Sequence, residues 1–357
     1  MTYYLFLFII ACTIIVISGL KLSKYGDIIG EKTGLEKGFI GFILLAFITS
    51  LPELVVSISA VSLEKNPDLS LGNVFGSNMF NLFIIAILDF VYKGYPFLYS
   101  VKKTHIVSAS LGIIMMCMGS VGLLFAKLEI STIFNSAIFN IGVMSIAILV
   151  VYVISMLIMY KHEHSDDDKA SAEEEKYKEI SLRKAASIFS FLGLIVVIVG
   201  VWLTGLGDSI AKTPFTIFGR TITFGSTFVG TLFIAFATSL PELVVSIGAI
   251  KLGQCDMAMG NILGSNIFNM SIIFVADLFY RTESIFHSPH NLDHLITAFF
   301  AIIMGMIVIL SISFRRKKGY LPMKIGWETF LLIFLYITAT IIIFNSGILP
   351  DRNLLIK

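Results

Sequence analysis

Charged side chains are scarce in this sequence: Asp, Glu, Lys and Arg make up 14% of its 357 residues, against about 25% in soluble domains. That deficit excludes an ordinary water-facing surface. Cysteine is scarcer still, and Cys12, Cys117 and Cys255 have no spacing that suggests a metal site, so they read as small buried hydrophobes. No basic leader precedes the first apolar run and no convincing cleavage site follows it, so that run reads as a retained span rather than a signal peptide. No nucleophile and base stand together in a water-exposed constellation, which argues against an enzyme. Nothing reads as the filter loop of a channel. The net charge of +2 selects no class of partner, and no feature calls for nucleic acid or an obligate protein partner.

What the chain has is apolar length. Hydrophobic residues make up 56% and the mean hydropathy is +0.90. Ten apolar runs fall at about 3–20, 38–63, 71–92, 104–126, 134–159, 185–205, 221–250, 257–280, 292–313 and 326–346, each near the ~20 residues a helix needs to cross a bilayer. Beyond the first run, Lys21, Lys24 and Lys32 read as a loop. Basic residues mark the cytoplasmic side. The loops after runs 1, 3, 5, 7 and 9 hold 4, 3, 6, 1 and 5 of them, 19 of the 26 in the chain. Both termini are therefore expected outside. Arg315–Lys318, RRKK, belongs to this topology signal rather than to a lipid-binding patch.

One long polar interruption, 161–184, carries eight acidic and six basic side chains and reads as a solvated cytoplasmic linker. Its acidic runs do not alternate ligands as a calcium loop does, and His162 and His164 sit at a frayed helix end.

Across that linker the chain repeats itself. AFITSLPELVVSISAV from Ala46 returns as AFATSLPELVVSIGAI from Ala235 with 13 of 16 positions identical, and GNVFGSNMFN from Gly72 returns as GNILGSNIFN from Gly260 with 7 of 10. Five spans per half is an odd number, so the second copy enters the membrane in the opposite sense. The expected fold is an all-α polytopic membrane protein of ten transmembrane helices in two inverted-topology five-helix repeats, residues 1–160 and 185–357.

The repeated motifs put polar groups where an apolar helix needs none. Ala46, Ser50, Glu53 and Ser57, with Thr49 at the shoulder, lie on one helical face. Pro52 removes the amide that would bond the Ile48 carbonyl, which suggests backbone oxygens at Ala46–Ile48 free to meet a ligand. Thr238, Ser239, Pro241, Glu242 and Ser246 repeat the pattern, with carbonyls near Ala235. Asn73, Ser77 and Asn81 form a second stripe that Asn261, Ser265 and Asn269 repeat. The nearby glycines are explained by helix packing alone, but the carboxylates are not. Each costs at least roughly 2.5–3.5 kcal/mol at mid-membrane, and mobile cations are the obvious partners. Carboxylates, hydroxyls, amides and carbonyls make an all-oxygen site suited to Na⁺ and Ca²⁺ and poorly suited to zinc or copper. Asp89 and Asp277 also correspond, and they read equally as part of an ion path or as caps.

At TSLPELVVS and GNxxGSNxFN the chain resembles the cation/calcium exchanger superfamily, in its prokaryotic sodium/calcium exchanger branch. The resemblance spans essentially all ten helices. It implies a secondary antiporter exchanging Na⁺ for Ca²⁺ electrogenically, with the bilayer as its setting and no tightly bound cofactor. Carried over by motif position, the ion ligands are Thr49, Ser50, Glu53, Ser77 and Asn81, then Thr238, Ser239, Glu242, Ser265 and Asn269, with carbonyls at Ala46 and Ala235. Many members have aspartate where this chain has Asn269, so two central carboxylates stand here where those members have three. A proton-coupled calcium exchanger is the runner-up, though its branch commonly shows GNxxE around the central glutamates. A cation channel using the same helices fits the opposed repeats less well.

Overall fold

The computed structural model describes residues 2–94, 96–128, 137–138, 140–165, 176–212, 215–217, 220–222, 236–287, 293–315 and 325–348. Helix α1 (Thr2–Thr33) runs on through Lys21, Lys24 and Lys32, where a loop was the expectation. Nothing in the stretch breaks a helix, and lysine stems can lie along it while their heads reach polar surroundings. Termination comes at Gly34, whose φ of +74° suits glycine and whose amide bonds the Gly30 carbonyl at 3.0 Å.

The second span is not one helix. α2 (Lys37–Ile40) passes through a π turn (Gly41–Leu45) into α3 (Ala46–Thr49), breaks at Ser50, and restarts as α4 (Leu51–Ser62). Next come α5 (Pro67–Val91), α6 (Phe97–Ser100) and α7 (His105–Lys127). Asn66 caps α5 by accepting the Leu69 amide at 3.1 Å, and Pro67 stands in its first turn, where a missing amide costs nothing.

The fifth span begins later than its apolar run. Strands β1 (Ala137–Ile138) and β2 (Ile141–Gly142) pair antiparallel before α8 (Val143–Ser165). Asn140, at φ +67°, takes a left-handed conformation that asparagine tolerates better than most, and the chain turns there instead of starting a helix. The second half opens with α9 (Leu182–Lys212), followed by the short ladder of β3 (Phe215–Ile217) and β4 (Arg220–Ile222), rich in β-branched Thr and Ile. Of the expected run 221–250, the first two residues thus lie in β4 and 223–235 fall outside the described residues. Helix resumes at 236–238, breaks at Ser239 and restarts as α10 (Leu240–Lys251). α11 (Cys255–Tyr280), α12 (Asp293–Ser313) and α13 (Trp327–Ile348) complete the chain.

Among the described residues, nine helices are long and apolar enough to cross a membrane. With the broken helix ending in α10 they form the all-α inverted-repeat fold. α5 and α11 lie at its centre, buried along most of their length, whereas α1 is buried over much less of its own. Backbones touch there. A side chain on Gly41 would collide with the Met257 carbonyl, and one on Gly260 with the Gly38 carbonyl, so α2 and the π turn press directly on α11.

The carboxylates at the far ends of the central helices are structural. Asp89 Oδ1 accepts the Phe97 amide at 2.5 Å, and its Oδ2 accepts the Gly326 amide at 2.9 Å and the Thr329 hydroxyl at 2.6 Å. Asp277 repeats this with the Ile285 amide at 2.6 Å, the Gly142 amide at 2.8 Å and the Ser145 hydroxyl at 2.5 Å. Each aspartate therefore caps the first turn of a helix in the other repeat, α13 for Asp89 and α8 for Asp277. Capping wins over an ion path.

The end of the polar linker also docks. The Tyr177 hydroxyl donates to Asp27 Oδ2 at 3.0 Å and its amide to Glu31 Oε1 at 2.9 Å, while Lys37 pairs with Asp27 at 2.7 Å. Partial burial and the Asp27 charge push the Tyr177 phenol up, so it stays a neutral donor.

Replacing Asp89 or Asp277 with Ala leaves buried amides unpaired at about 1–3 kcal/mol each. Thermal unfolding in detergent should show a lowered midpoint for both, with Asn variants intermediate and exposed Glu64→Ala unchanged. An unaltered midpoint combined with altered ion dependence would return these aspartates to an ion path.

Candidate ion-binding site

The two TSLPE segments share one backbone geometry. Ser50 has φ −91° and ψ 3°, and Ser239 has φ −91° and ψ 7°. Each serine ends one helical piece and precedes another. Pro52 and Pro241 fall in the first turn of α4 and α10, where no amide is missed, and Glu53 and Glu242 stand in the same turns, where the helix dipole favours negative charge. Proline and glutamate are thus parts of one device, a helix broken so that a carboxylate sits at a fresh N-terminus. The sequence reading expected a free carbonyl at Ala46. In this conformation that oxygen accepts the Ser50 amide at 3.1 Å and the Thr49 hydroxyl at 3.4 Å. Ala235 lies outside the described residues.

Every other residue of the expected site is buried: Thr49, Ser50, Glu53, Ser77, Asn81, Thr238, Ser239, Glu242, Ser265 and Asn269 are each 0% exposed, and Ala46 is 1%. Each carboxylate is bonded from both repeats. Ser50 donates to Glu242 Oε1 at 2.9 Å and Ser265 to the same oxygen at 3.4 Å. Ser239 donates to Glu53 Oε1 at 3.3 Å and Ser77 at 3.5 Å. Thr49 contacts Ser265 at 3.4 Å, and Ser77 contacts Thr238 at 3.4 Å. The network therefore has two sets of bonds, each crossing the repeats: one gathers Thr49, Ser50 and Ser265 about Glu242, the other Ser77, Thr238 and Ser239 about Glu53.

What the network leaves over is chemically telling. Glu53 Oε2, Glu242 Oε2 and both amide atoms of Asn81 and of Asn269 are buried with no hydrogen-bond partner among the described residues. Among the described residues no basic side chain pairs with either glutamate. Carboxylates in a medium of low dielectric need compensation, and the available donors of electron pairs are all oxygens. Such a set can hold hard cations. Asn81 and Asn269 stand one helical turn beyond Ser77 and Ser265 and are not bonded to the carboxylates.

Two further asparagines act on the backbone. Asn73 Nδ2 donates to the Glu53 carbonyl at 3.0 Å and to Ser57 Oγ at 3.0 Å. Asn261 Nδ2 does the same for the Glu242 carbonyl at 3.3 Å and Ser246 Oγ at 3.0 Å. These residues hold the broken helices against α5 and α11. Their place in the polar stripes was visible in the sequence; their role as braces was not.

A profile of the family described as sodium/calcium exchanger protein matches residues 3–201 and 184–345. The inner membrane protein YrbG of Escherichia coli strain K12 is 25% identical over 302 residues, covering 84% of this chain and 87% of that protein. The sodium/calcium exchanger MaX1 of Methanosarcina acetivorans is 25% identical over 353 residues, covering 90% and 93%. Among solved structures, the sodium-calcium exchanger NCX_Mj soaked with 2.5 mM Na⁺ and 0.1 mM Ca²⁺ superposes with a TM-score of 0.68 at 20% identity, over 94% of this chain and 97% of that one.

Asn73→Ala and Asn261→Ala should each cost about 1–3 kcal/mol, because a buried carbonyl and a serine lose their donor. Ser57→Ala and Ser246→Ala, which spare the carbonyl bond, should cost less. Unfolding in detergent measures both, and neutral asparagine variants would contradict the brace.

Proposed function

The chain belongs to the sodium/calcium exchanger protein family, and we propose from that premise how its own residues exchange Na⁺ for Ca²⁺ across the membrane. The observation that carries the reading is the pair Glu53 and Glu242, fully buried, drawn from opposite repeats, cross-bonded by Ser239 and Ser50, and without a basic partner among the described residues. One Ca²⁺ neutralises both charges, and so do Na⁺ ions bound in its place. An empty site leaves two uncompensated carboxylates in low dielectric, which opposes the transition between inward- and outward-facing states. Loaded states escape that penalty, so movement of one ion species is tied to return of the other. This makes the protein a secondary antiporter working by alternating access between two inverted repeats.

In this reading Thr49, Ser50, Glu53, Ser77 and Asn81, with the Ala46 carbonyl, supply the first repeat's ligands. Thr238, Ser239, Glu242, Ser265 and Asn269, with the Ala235 carbonyl, supply the second's. The unpartnered amides of Asn81 and Asn269 and the free Oε2 atoms of both glutamates support the assignment. Hydroxyls now bonded to carboxylate turn their lone pairs to the ion. Residues 1–160 and 185–357 act as the two transport units, joined by a cytoplasmic linker at 161–184, with both termini outside. The distribution of lysine and arginine supports that orientation.

In proteoliposomes loaded with Na⁺, an outward sodium gradient should drive ⁴⁵Ca²⁺ uptake, and Glu53→Gln or Glu242→Gln should abolish it, since either removes half the charge that balances Ca²⁺. Equal uptake with sodium absent and only a proton gradient present would favour proton coupling instead.

For orientation, a cysteine at position 171 in a background lacking Cys12, Cys117 and Cys255 should resist a membrane-impermeant thiol reagent in intact cells, while one at position 353 reacts. The reverse pattern would invert the topology.

A further inference from the structure

Beside the cap that Asp89 makes stands a carboxylate that takes no part in it. Glu328 lies in the first turn of α13. It is 1% exposed, and both of its carboxylate oxygens are buried with no hydrogen-bond partner among the described residues. Its neighbour is negative too. A side chain on Gly326 would collide with the Glu328 carboxylate, and the Gly326 amide is one that Asp89 Oδ2 accepts, at 2.9 Å. The two carboxylates thus flank one glycine, and the donors there, the amides of Phe97 and Gly326 and the Thr329 hydroxyl, all serve Asp89.

The internal repeat shows that the fold does not require this polarity. Gly142 and Ser145 do for Asp277 what Gly326 and Thr329 do for Asp89, so Met144 is the counterpart of Glu328. A second symmetric pair aligns the helices opposite. His105 at the start of α7 bonds Asp256 at 3.0 Å, and His294 at the start of α12 bonds Asp68 at 2.9 Å. Gly122 and Ser311 follow their histidines at the same spacing and are therefore counterparts. In the first half these positions touch, since a side chain on Gly122 would meet Met144 Cγ at 2.9 Å. The same juxtaposition sets Ser311 against Glu328 in the second half. Ser311 is 5% exposed, and its hydroxyl also has no partner among the described residues. Where one half makes an apolar contact, the other has a carboxylate and a hydroxyl that no protein group uses.

We propose that Glu328 and Ser311 form a site for a hard monovalent cation of the Na⁺ class, between the end of α12 and the start of α13. A buried carboxylate without compensation is costly, and Met144 and Gly122 show that an apolar pair fills the equivalent space. The oxygens available, two from the carboxylate and one from the hydroxyl, are donors of the kind hard cations take. One uncompensated negative charge matches one positive charge. A divalent ion would draw on Asp89 as well, whose oxygens are committed to its caps. The site is separate from the one at Glu53 and Glu242, because Asp89 stands eight residues beyond Asn81, about 12 Å along α5. The proposal therefore does not rest on the exchange reading. A cation held here ties α12 to α13 and shields Glu328 from Asp89.

The test is made with the exchange carboxylates removed. In the Glu53→Gln, Glu242→Gln double variant, the unfolding midpoint in detergent is followed as Na⁺ replaces choline at fixed ionic strength. It should rise along a saturable curve. Adding Glu328→Gln should raise the midpoint in choline, where an unpaired charge has been removed, and abolish the response to Na⁺. Adding Ser311→Ala should keep the response and raise half-saturating Na⁺ by roughly two- to tenfold, about the worth of one polar contact. Where the double variant does not fold, the parent and Glu328→Gln are compared directly, and the response to Na⁺ should be smaller in Glu328→Gln. No Na⁺ response in the folded double variant, or a response that Glu328→Gln leaves unchanged in either background, would overturn the site. So would a midpoint in choline that depends on pH through Glu328 while Na⁺ has no effect, since the occupant would then be a proton.

Discussion

Two carboxylates buried without a basic partner among the described residues are the constraint on which the rest of the molecule depends. Glu53 and Glu242 are fully enclosed, and a lone charge in such surroundings is costly. The architecture around them reduces that cost without removing it. Breaking each helix at Ser50 and Ser239 puts a carboxylate at a helix N-terminus, and hydroxyls from the opposite repeat take up one oxygen of each. The other oxygen is left free. What remains is a demand for positive charge that a mobile ion can meet and that a resident lysine or arginine would have cancelled.

Holding such a site open requires a stiff surrounding frame. Backbone contact at Gly41 and Gly260 brings the first repeat against α11 with no intervening side chain. Asn73 and Asn261 tie the carboxylate-bearing helices to α5 and α11. Asp89 and Asp277 pin those two helices to α13 and α8 at opposite ends of the molecule. Each of these ties pairs a residue of one repeat with the backbone of the other or with its own central helix. The repeats are therefore interlocked rather than stacked side by side.

Much of this was legible before any coordinates. The duplicated TSLPELVVS and GNxxGSNxFN segments announce inverted repeats and collect the residues that prove to be buried together, because helical spacing alone puts Ser50, Glu53, Ser77 and Asn81 on inward faces. The chemistry at Pro52 was read less well. A proline in an apolar run suggested a kink with released carbonyls, but the chain breaks two residues earlier, at Ser50, and uses the proline in the first turn of a new helix. Local sequence does not distinguish the two, since both place proline near a turn. Asp89 and Asp277 were ambiguous for another reason. Their partners at Gly326, Thr329, Gly142 and Ser145 are far away in the chain, and only the tertiary arrangement identifies them as caps. The late start of the fifth span depends on a tight turn at Asn140, hidden within a run that is apolar enough for a helix.

The most direct test of the central claim is to locate the ion. Anomalous diffraction from crystals soaked in Sr²⁺, a divalent stand-in for Ca²⁺, should give a peak between Glu53 and Glu242, within bonding reach of the free oxygens, and that peak should fade as Na⁺ in the soak is raised. A divalent peak elsewhere, or one between the glutamates that high Na⁺ leaves untouched, would contradict a shared site as the basis of exchange.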